Sequence, residues 1–194
     1  MLRIFLFEPP NRRIQPERYA TFGPKFSVIY RQKNNYIIIV ILEENIMEIR
    51  EISTNKEKYM DLLLLGDEQE NMVYKYLFKG NLFALFDSDL KTVCIVTKED
   101  KTIYEIKNIA TYERYQGKGY GYYMINYIIE NYKNKCKTLL VGTGENEKII
   151  NFYKKCGFKY SHVLKDFFIK NYDHKIFEDG KQLKDMVYLK MEFE

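Results

Sequence analysis

The segment "TIYEIKNIATYERYQGKGYGYYMINYIIENY", residues 102–132, constrains the fold more than any other. Its first ten residues read as a strand, and Tyr123, Met124, Tyr127 and Ile128 then recur at the spacing of one helix face. Between them Gly117, Gly119 and Gly121 stand at every second position. Glycine is a poor helix former and packs no side chain, so three at the mouth of a helix need a reason. Either the bare backbone grips an anion or the loop is a turn joining strand to helix.

Two nucleotide loops fail on spacing. A Walker loop needs Ser or Thr after Gly-Lys so that a hydroxyl reaches magnesium, and Gly119 follows Lys118. A dinucleotide fingerprint starting at Gly117 needs glycine at 122, which is Tyr122. A third template fits: a strand, alternating glycines, and a helix that starts inside the loop. There successive amides and the helix dipole favour an anion, and missing side chains admit a pyrophosphate.

Strands and helices are mixed along the rest of the chain. "MEIREIS" alternates as a strand. Thr54 with Glu57 reads as a capping box for a helix carrying Tyr59, Leu62 and Leu63 that stops at Gly66. Asp67 with Glu70 repeats the box for a helix that buries Met72, Val73, Tyr76 and Leu77 and ends at Gly80. The strand-like runs "LFALF" and "KTVCIVT" flank the turn "DSDL". "KTLLVGTG", "FKYSHVL" and "MVYLKMEF" read as strands. "NEKIINFYKKCG" reads as an amphipathic helix with Ile149, Ile150, Phe152, Tyr153 and Cys156, closed by Gly157 as a left-handed cap. "KDFFIKNYDHKIFEDGKQLKD" reads as irregular. Two strand–helix–strand passages make the class α+β or α/β.

Residues 1–46 differ in character: they hold all four prolines, and "YIIIVIL" reads as a buried strand far too short to span a bilayer. The opening "MLRIFLF" is also too short for a signal peptide, with Glu8 and Pro9 directly behind it. Three cysteines without a CxxC spacing and two histidines suggest neither a disulfide framework nor a metal site. The expectation is a cytoplasmic protein with reduced thiols. A net charge of +4 is too mild to argue for nucleic acid or an anionic membrane.

"QGKGYG" resembles the Gln/Arg-x-x-Gly-x-Gly/Ala motif of the GNAT superfamily of acetyltransferases. "IATYERYQGKGYG" looks like that family's fourth strand running into its pyrophosphate loop. Downstream, "GENEKIINFYKKCGF" is similar to its second motif, with Asn146 and Tyr153 in the motif's places. The two motifs in order are far more specific than either alone. The resemblance covers residues 47–194, and the tail from 166 to 186 looks like that of a bacterial N-acetyltransferase subgroup. It implies a mixed, mostly antiparallel sheet flanked by helices, with acetyl-CoA as co-substrate and no metal.

Carried onto this chain, the resemblance assigns the pantetheine arm to Ile109, Ala110 and Thr111. The pyrophosphate falls to the amides of Gly117, Lys118, Gly119, Tyr120, Gly121 and Tyr122, with Gln116 opening the motif. Asn146 matches the residue that contacts the cofactor arm, and it equally suits a helix N-cap. Tyr153 matches the general acid that protonates the departing thiolate; a Tyr on this apolar helix face could also be core. Some members carry a basic Glu where this chain has Val141. In the histone-type branch the corresponding Glu falls at Glu105, here either the base or a solvent-facing charge. Cys156 reads as core rather than nucleophile, His162 and His174 as structural or exposed. "DFF" and Tyr172 either border the acceptor site or belong to the core.

The expected activity is therefore direct transfer of acetyl from acetyl-CoA to a primary amine in a ternary complex. The competing class is a CoA-binding sensor without chemistry, for which Val141 speaks and against which Tyr153 speaks. The expected partners are acetyl-CoA and an amine acceptor, without nucleic acid or membrane, in a monomer or homodimer. "LEEN" before Met47 implies purine-rich codons resembling a ribosome-binding site. Met47 is then an alternative start, with residues 1–46 an extension of open status.

Overall fold

The computed structural model describes residues 47–194 in full and, before them, the backbone of four strands: β1 (Leu2–Phe7), β2 (Tyr19–Thr21), β3 (Phe26–Lys33) and β4 (Tyr36–Glu43). The chain divides into two compact units, Met1–Glu48 and Ile49–Glu194. In the first, the four strands form an antiparallel sheet in the order β1-β4-β3-β2. "YIIIVIL" is its strand β4, and its side chains lie outside the described residues.

The second unit begins within β5 (Glu48–Ile52). Then come α1 (Met60–Leu63), α2 (Glu70–Leu77), β6 (Asn81–Asp87), β7 (Asp89–Lys98) and β8 (Ile103–Thr111). Next are α3 (Tyr120–Tyr132), β9 (Thr138–Thr143), α4 (Glu147–Lys155) and β10 (Lys159–Leu164). The chain closes with α5 (Phe167–Asn171), the hairpin β11 (Phe177–Glu178) and β12 (Lys181–Gln182), and β13 (Met186–Glu192).

Seven strands make one sheet in the order β10-β13-β9-β8-β7-β6-β5. β8 and β9 run parallel, while β6–β7, β7–β8, β9–β13 and β10–β13 are antiparallel. Side chains on both faces of the central strands are buried, as for a sheet covered by helices on each side. Along β6, Phe83 and Leu85 join Met124, Ile125, Ile128 and Tyr153 of α3 and α4, while Leu82 and Ala84 join Leu62, Leu63, Val73 and Leu77 of α1 and α2.

Some local expectations are corrected. No Thr54–Glu57 capping box forms: a 3-10 turn over Lys56–Tyr59 follows Asn55, which takes a left-handed conformation at φ 53° that Asn tolerates better than most residues. Nor does Asp67 cap α2, because Gln69 is the capping residue and Asp67 binds two tyrosines instead. Tyr123 is exposed, and the buried face of α3 is Met124, Ile125, Ile128 and Tyr132. The stretch read as irregular holds α5 and the β11–β12 hairpin, packed around Phe168, Ile176 and Leu183. Gly66 is required by close approach, since a Cβ there would meet the Asn108 side chain at 2.9 Å.

Candidate functional site

The parallel ladder between β8 and β9 ends at Ile106 and Val141. Beyond it β8 continues along β7, and β9 along β13, through Gly142 and Thr143. The two strands thus part company, leaving backbone edges without a mutual partner. A cleft of about 720 Å³ is lined by Ile109, Ala110 and Thr111 from the far end of β8 and by Thr143 from β9. A bulge in the β7–β8 ladder skips Lys107, which re-aims the residues after it.

The glycine loop carries the lining onward through Gln116, Gly117, Gly119, Tyr120, Gly121 and Tyr122. Gly117 and Gly119 sit at φ 72° and 90°, where L side chains are strained, and a Cβ on either would meet open space. Backbone conformation therefore demands these two glycines. Gly121 differs: its φ is ordinary, and a Cβ would rest 3.6 Å from Phe152. The first α-helical bond of α3 runs from the Tyr123 N–H to the Gly119 carbonyl at 2.9 Å. The amides before it have no partner within the helix and form the positive end of its dipole.

Side chains brace the loop. Gln116 donates its amide to the Thr111 carbonyl at 3.1 Å, tying the loop back to β8. Tyr115, which also lines the cleft, donates to Asp89 at 2.7 Å, with Lys91, Arg114 and Lys118 over its ring at 3.9, 4.8 and 5.4 Å. Lys118 itself stands outside the lining, as a cation at the rim. Tyr120 is anchored at its hydroxyl, which donates to Asp87 at 2.6 Å. This geometry suits an anion at the loop and an extended ligand running along the free edge of β8.

Gly144 and, from α4, Ile149 and Phe152 add to the lining, and the rest comes from residues 65–68 and from the segment 168–183. Asp67 joins the two. Tyr172 donates to one of its carboxylate oxygens at 2.9 Å, and Tyr76 to the other at 3.0 Å. Burial pushes the Asp67 carboxyl above its ordinary value, outweighing the hydrogen bonds from Tyr172 and Tyr76 that lower it. Asn108, on β8, donates to the Tyr76 hydroxyl and to the Leu63 carbonyl, each at 3.0 Å, while its buried Oδ1 has no hydrogen-bond partner among the described residues. A local pattern that makes Asp67 a cap gives no sign of this network, and Asn108, a polar residue between the apolar Ile106 and Ala110 on one face of β8, was the signal available. Phe168, Ile176 and Leu183 complete the lining with Glu68 and Glu178.

The expected chemical groups are placed unevenly. Tyr153 is buried beside Phe152 and Phe158 and stands behind the lining, which Phe152 provides. Burial holds its phenol well above the ordinary value, with smaller contributions from Cys94, Cys156 and the Glu178 carboxylate. Asn146 is the N-cap of α4, accepting from the Lys148 N–H at 2.9 Å, and its amide donates to Asp179 at 3.3 Å. Glu105 is not solvent-facing: it is 7% exposed, paired with Lys107 at 2.9 Å and accepting from Tyr188 at 3.1 Å, apart from the cleft lining. Val141 is core. Cys156 is buried, its thiol pushed up to about 11 by burial, which suits packing rather than nucleophilic attack. His162 stacks on Tyr188 with centroids 4.7 Å apart, and His174 lies 3.8 Å from Glu68.

Comparison with known proteins gives concordant results. A GNAT acetyltransferase domain matches residues 80–160. The chain is 40% identical over 140 residues to an uncharacterised N-acetyltransferase of Bacillus subtilis, YvbK, covering 70% of this chain and 89% of that protein. The crystal structure of a GNAT family acetyltransferase from Elizabethkingia anophelis with acetyl-CoA bound is 32% identical, with a TM-score of 0.73 over 78% of this chain and all of the other. A Bacillus subtilis acetyltransferase in complex with CoA is 33% identical, with a TM-score of 0.71 over 76% of this chain and 99% of the other. Among the described residues no helix is long and apolar enough to cross a membrane.

Proposed function

The chain belongs to the GNAT family and is an N-acetyltransferase, and from that premise we propose that it moves acetyl from acetyl-CoA directly to a primary amine in a ternary complex. The observation that carries this reading is the continuity of one cleft, from the left-handed Gly117–Gly119 loop past the parted strands to the Asp67–Tyr172 junction. The pyrophosphate lies on the amides from Gly117 to Tyr122, and the pantetheine arm runs along Ile109, Ala110 and Thr111. Asn146, while capping α4, holds that arm where α4 begins. The amine enters from the side of residues 67–68 and 168–178, and holding both substrates in one cleft supplies much of the rate.

Tyr153 is the general acid. A phenol so weakly acidic stays protonated throughout the working range, and it gives its proton to sulfur as the C–S bond breaks. The deciding experiment is a thiol-release assay on a panel of amines with Tyr153→Phe beside the wild type. Turnover should fall about 100-fold or more, with acetyl-CoA affinity retained. Full turnover in the variant would refute the acid role; binding without turnover on any amine would turn the reading to a CoA sensor.

A further inference from the structure

We propose that Glu178, in the β11–β12 hairpin, is the general base that takes the proton of the acceptor ammonium; this assignment rests on the acetyl-transfer reading above. Three carboxylates line the cleft: Asp67, Glu68 and Glu178. Asp67 has each oxygen engaged by a phenol and works as the joint between two segments. Glu68 is exposed and lies beside His174. Glu178 is half-buried and, among the described residues, has no cationic partner at ion-pair distance. Its neighbour Asp179 takes the Lys148 ammonium instead, at 2.9 Å.

The surroundings of Glu178 draw it towards the reacting end. Asn146, at the start of α4, donates its amide to the adjoining Asp179 at 3.3 Å and holds the Glu178 carboxyl down, while the charge of Glu178 raises the Tyr153 phenol. The β11–β12 hairpin thus faces both α4 residues that the acetyl-transfer reading uses, with Asp179 bound to Asn146 and the Glu178 charge acting on Tyr153. The charged and titratable groups around it are Asp179 beside it, Lys181 across the hairpin, Glu68 from the α1–α2 loop and Tyr153 from α4. Burial, then Asp179 and Glu68, push the Glu178 carboxyl above its ordinary range, against the lowering effect of Asn146. A carboxylate moved in that direction is a better proton acceptor at neutral pH. Glu105, already bound by Lys107 and Tyr188, has no comparable access.

The proton balance closes. The ammonium gives one N–H proton to Glu178, and the nitrogen lone pair forms the N–C bond at the thioester carbonyl. The C–S bond then breaks with its electron pair on sulfur, which takes the Tyr153 proton. The second proton leaves the cationic amide nitrogen and restores the phenol, while Glu178 releases its own proton to solvent. The sum is an amide, a thiol and one proton.

The test is kcat/KM for phenethylamine, putrescine and lysine amide, followed by thiol release from about pH 5 to 9. The wild type should show an acid limb set above the ordinary glutamate value of about 4.3. Rate should rise with pH there, because the base works ionised. Glu178→Gln should lose that limb and about 100-fold in rate, with acetyl-CoA binding and thermal stability near wild type. Glu178→Asp should restore part of the rate together with the limb, and the limb should persist in Glu105→Gln. A limb intact in Glu178→Gln overturns the base assignment alone, and its loss only in Glu105→Gln moves the base there. A wild type that binds acetyl-CoA but acetylates none of these amines overturns the transfer reading, and this one with it.

Discussion

One part of the cleft is a continuous run of chain from Ile109 to Tyr122, whereas the other joins residues 65–68 to residues 168–183 by side-chain bonds across more than a hundred positions. The first is shaped by backbone: two left-handed glycines, the exposed amides of α3, and a strand edge released where β8 and β9 part. The second is shaped by tertiary ties, chiefly the two phenols on Asp67 and the small core around Phe168. A wall made of backbone can serve one invariant ligand. A wall made of side chains can be retuned for different acceptors without disturbing the sheet.

Substitutions can break this contrast, and the largest effect should come from the backbone wall. Gly119→Val forces a branched residue into φ 90° and fills space a ligand would use. The acetyl-CoA dissociation constant, measured by calorimetry, should rise about 100-fold, combining about 1–2 kcal/mol of strain with lost contact. Gly121→Ala, at an ordinary φ, should raise it by less than about tenfold. Equal effects at both positions would mean that bulk, rather than backbone conformation, governs the loop.

The side-chain wall should respond in the other substrate. Tyr172→Phe removes one of the two donors to Asp67, a hydrogen bond to a charged group worth about 1.5–3 kcal/mol. Amine kcat/KM should fall about tenfold while acetyl-CoA affinity stays within about twofold. A change in acetyl-CoA affinity as large as the change for the amine would erase the distinction between the walls. The smallest effect belongs to Lys118→Ala. An exposed rim cation stacked on Tyr115 at 5.4 Å should cost about threefold in acetyl-CoA affinity, declining as salt screens it.

The two walls also differ in how far they could be read in advance. The wall from Ile109 to Tyr122, which we propose holds the cofactor, was legible as a unit because its residues are consecutive and its spacing is fixed by backbone geometry: strand, glycines at alternate positions, helix. Even so, the three glycines proved unequal, since only Gly117 and Gly119 need positive φ. The opposite wall, which we propose receives the acceptor, was not legible. Asp67 looked like a helix cap because its distant phenols, Tyr172 above all, are invisible to local pattern. Glu178 lay in a stretch without periodicity, because a two-residue hairpin is too short to show one. Glu105 read as either a base or a solvent-facing charge because alternation places a residue on a face without saying what else stands there; the structure pairs it with Lys107 and Tyr188.

The chain's sequence by itself determined the order of strands and helices from residue 47 to residue 164, the place of the glycine loop and the family resemblance. Those features rest on local backbone preference and short-range spacing. Tertiary structure alone decided which carboxylates reach the cleft, that Tyr153 sits buried behind Phe152, and that residues 67 and 172 form one wall. Those outcomes depend on packing between segments far apart in the chain, where position in space, rather than residue type, sets the chemistry.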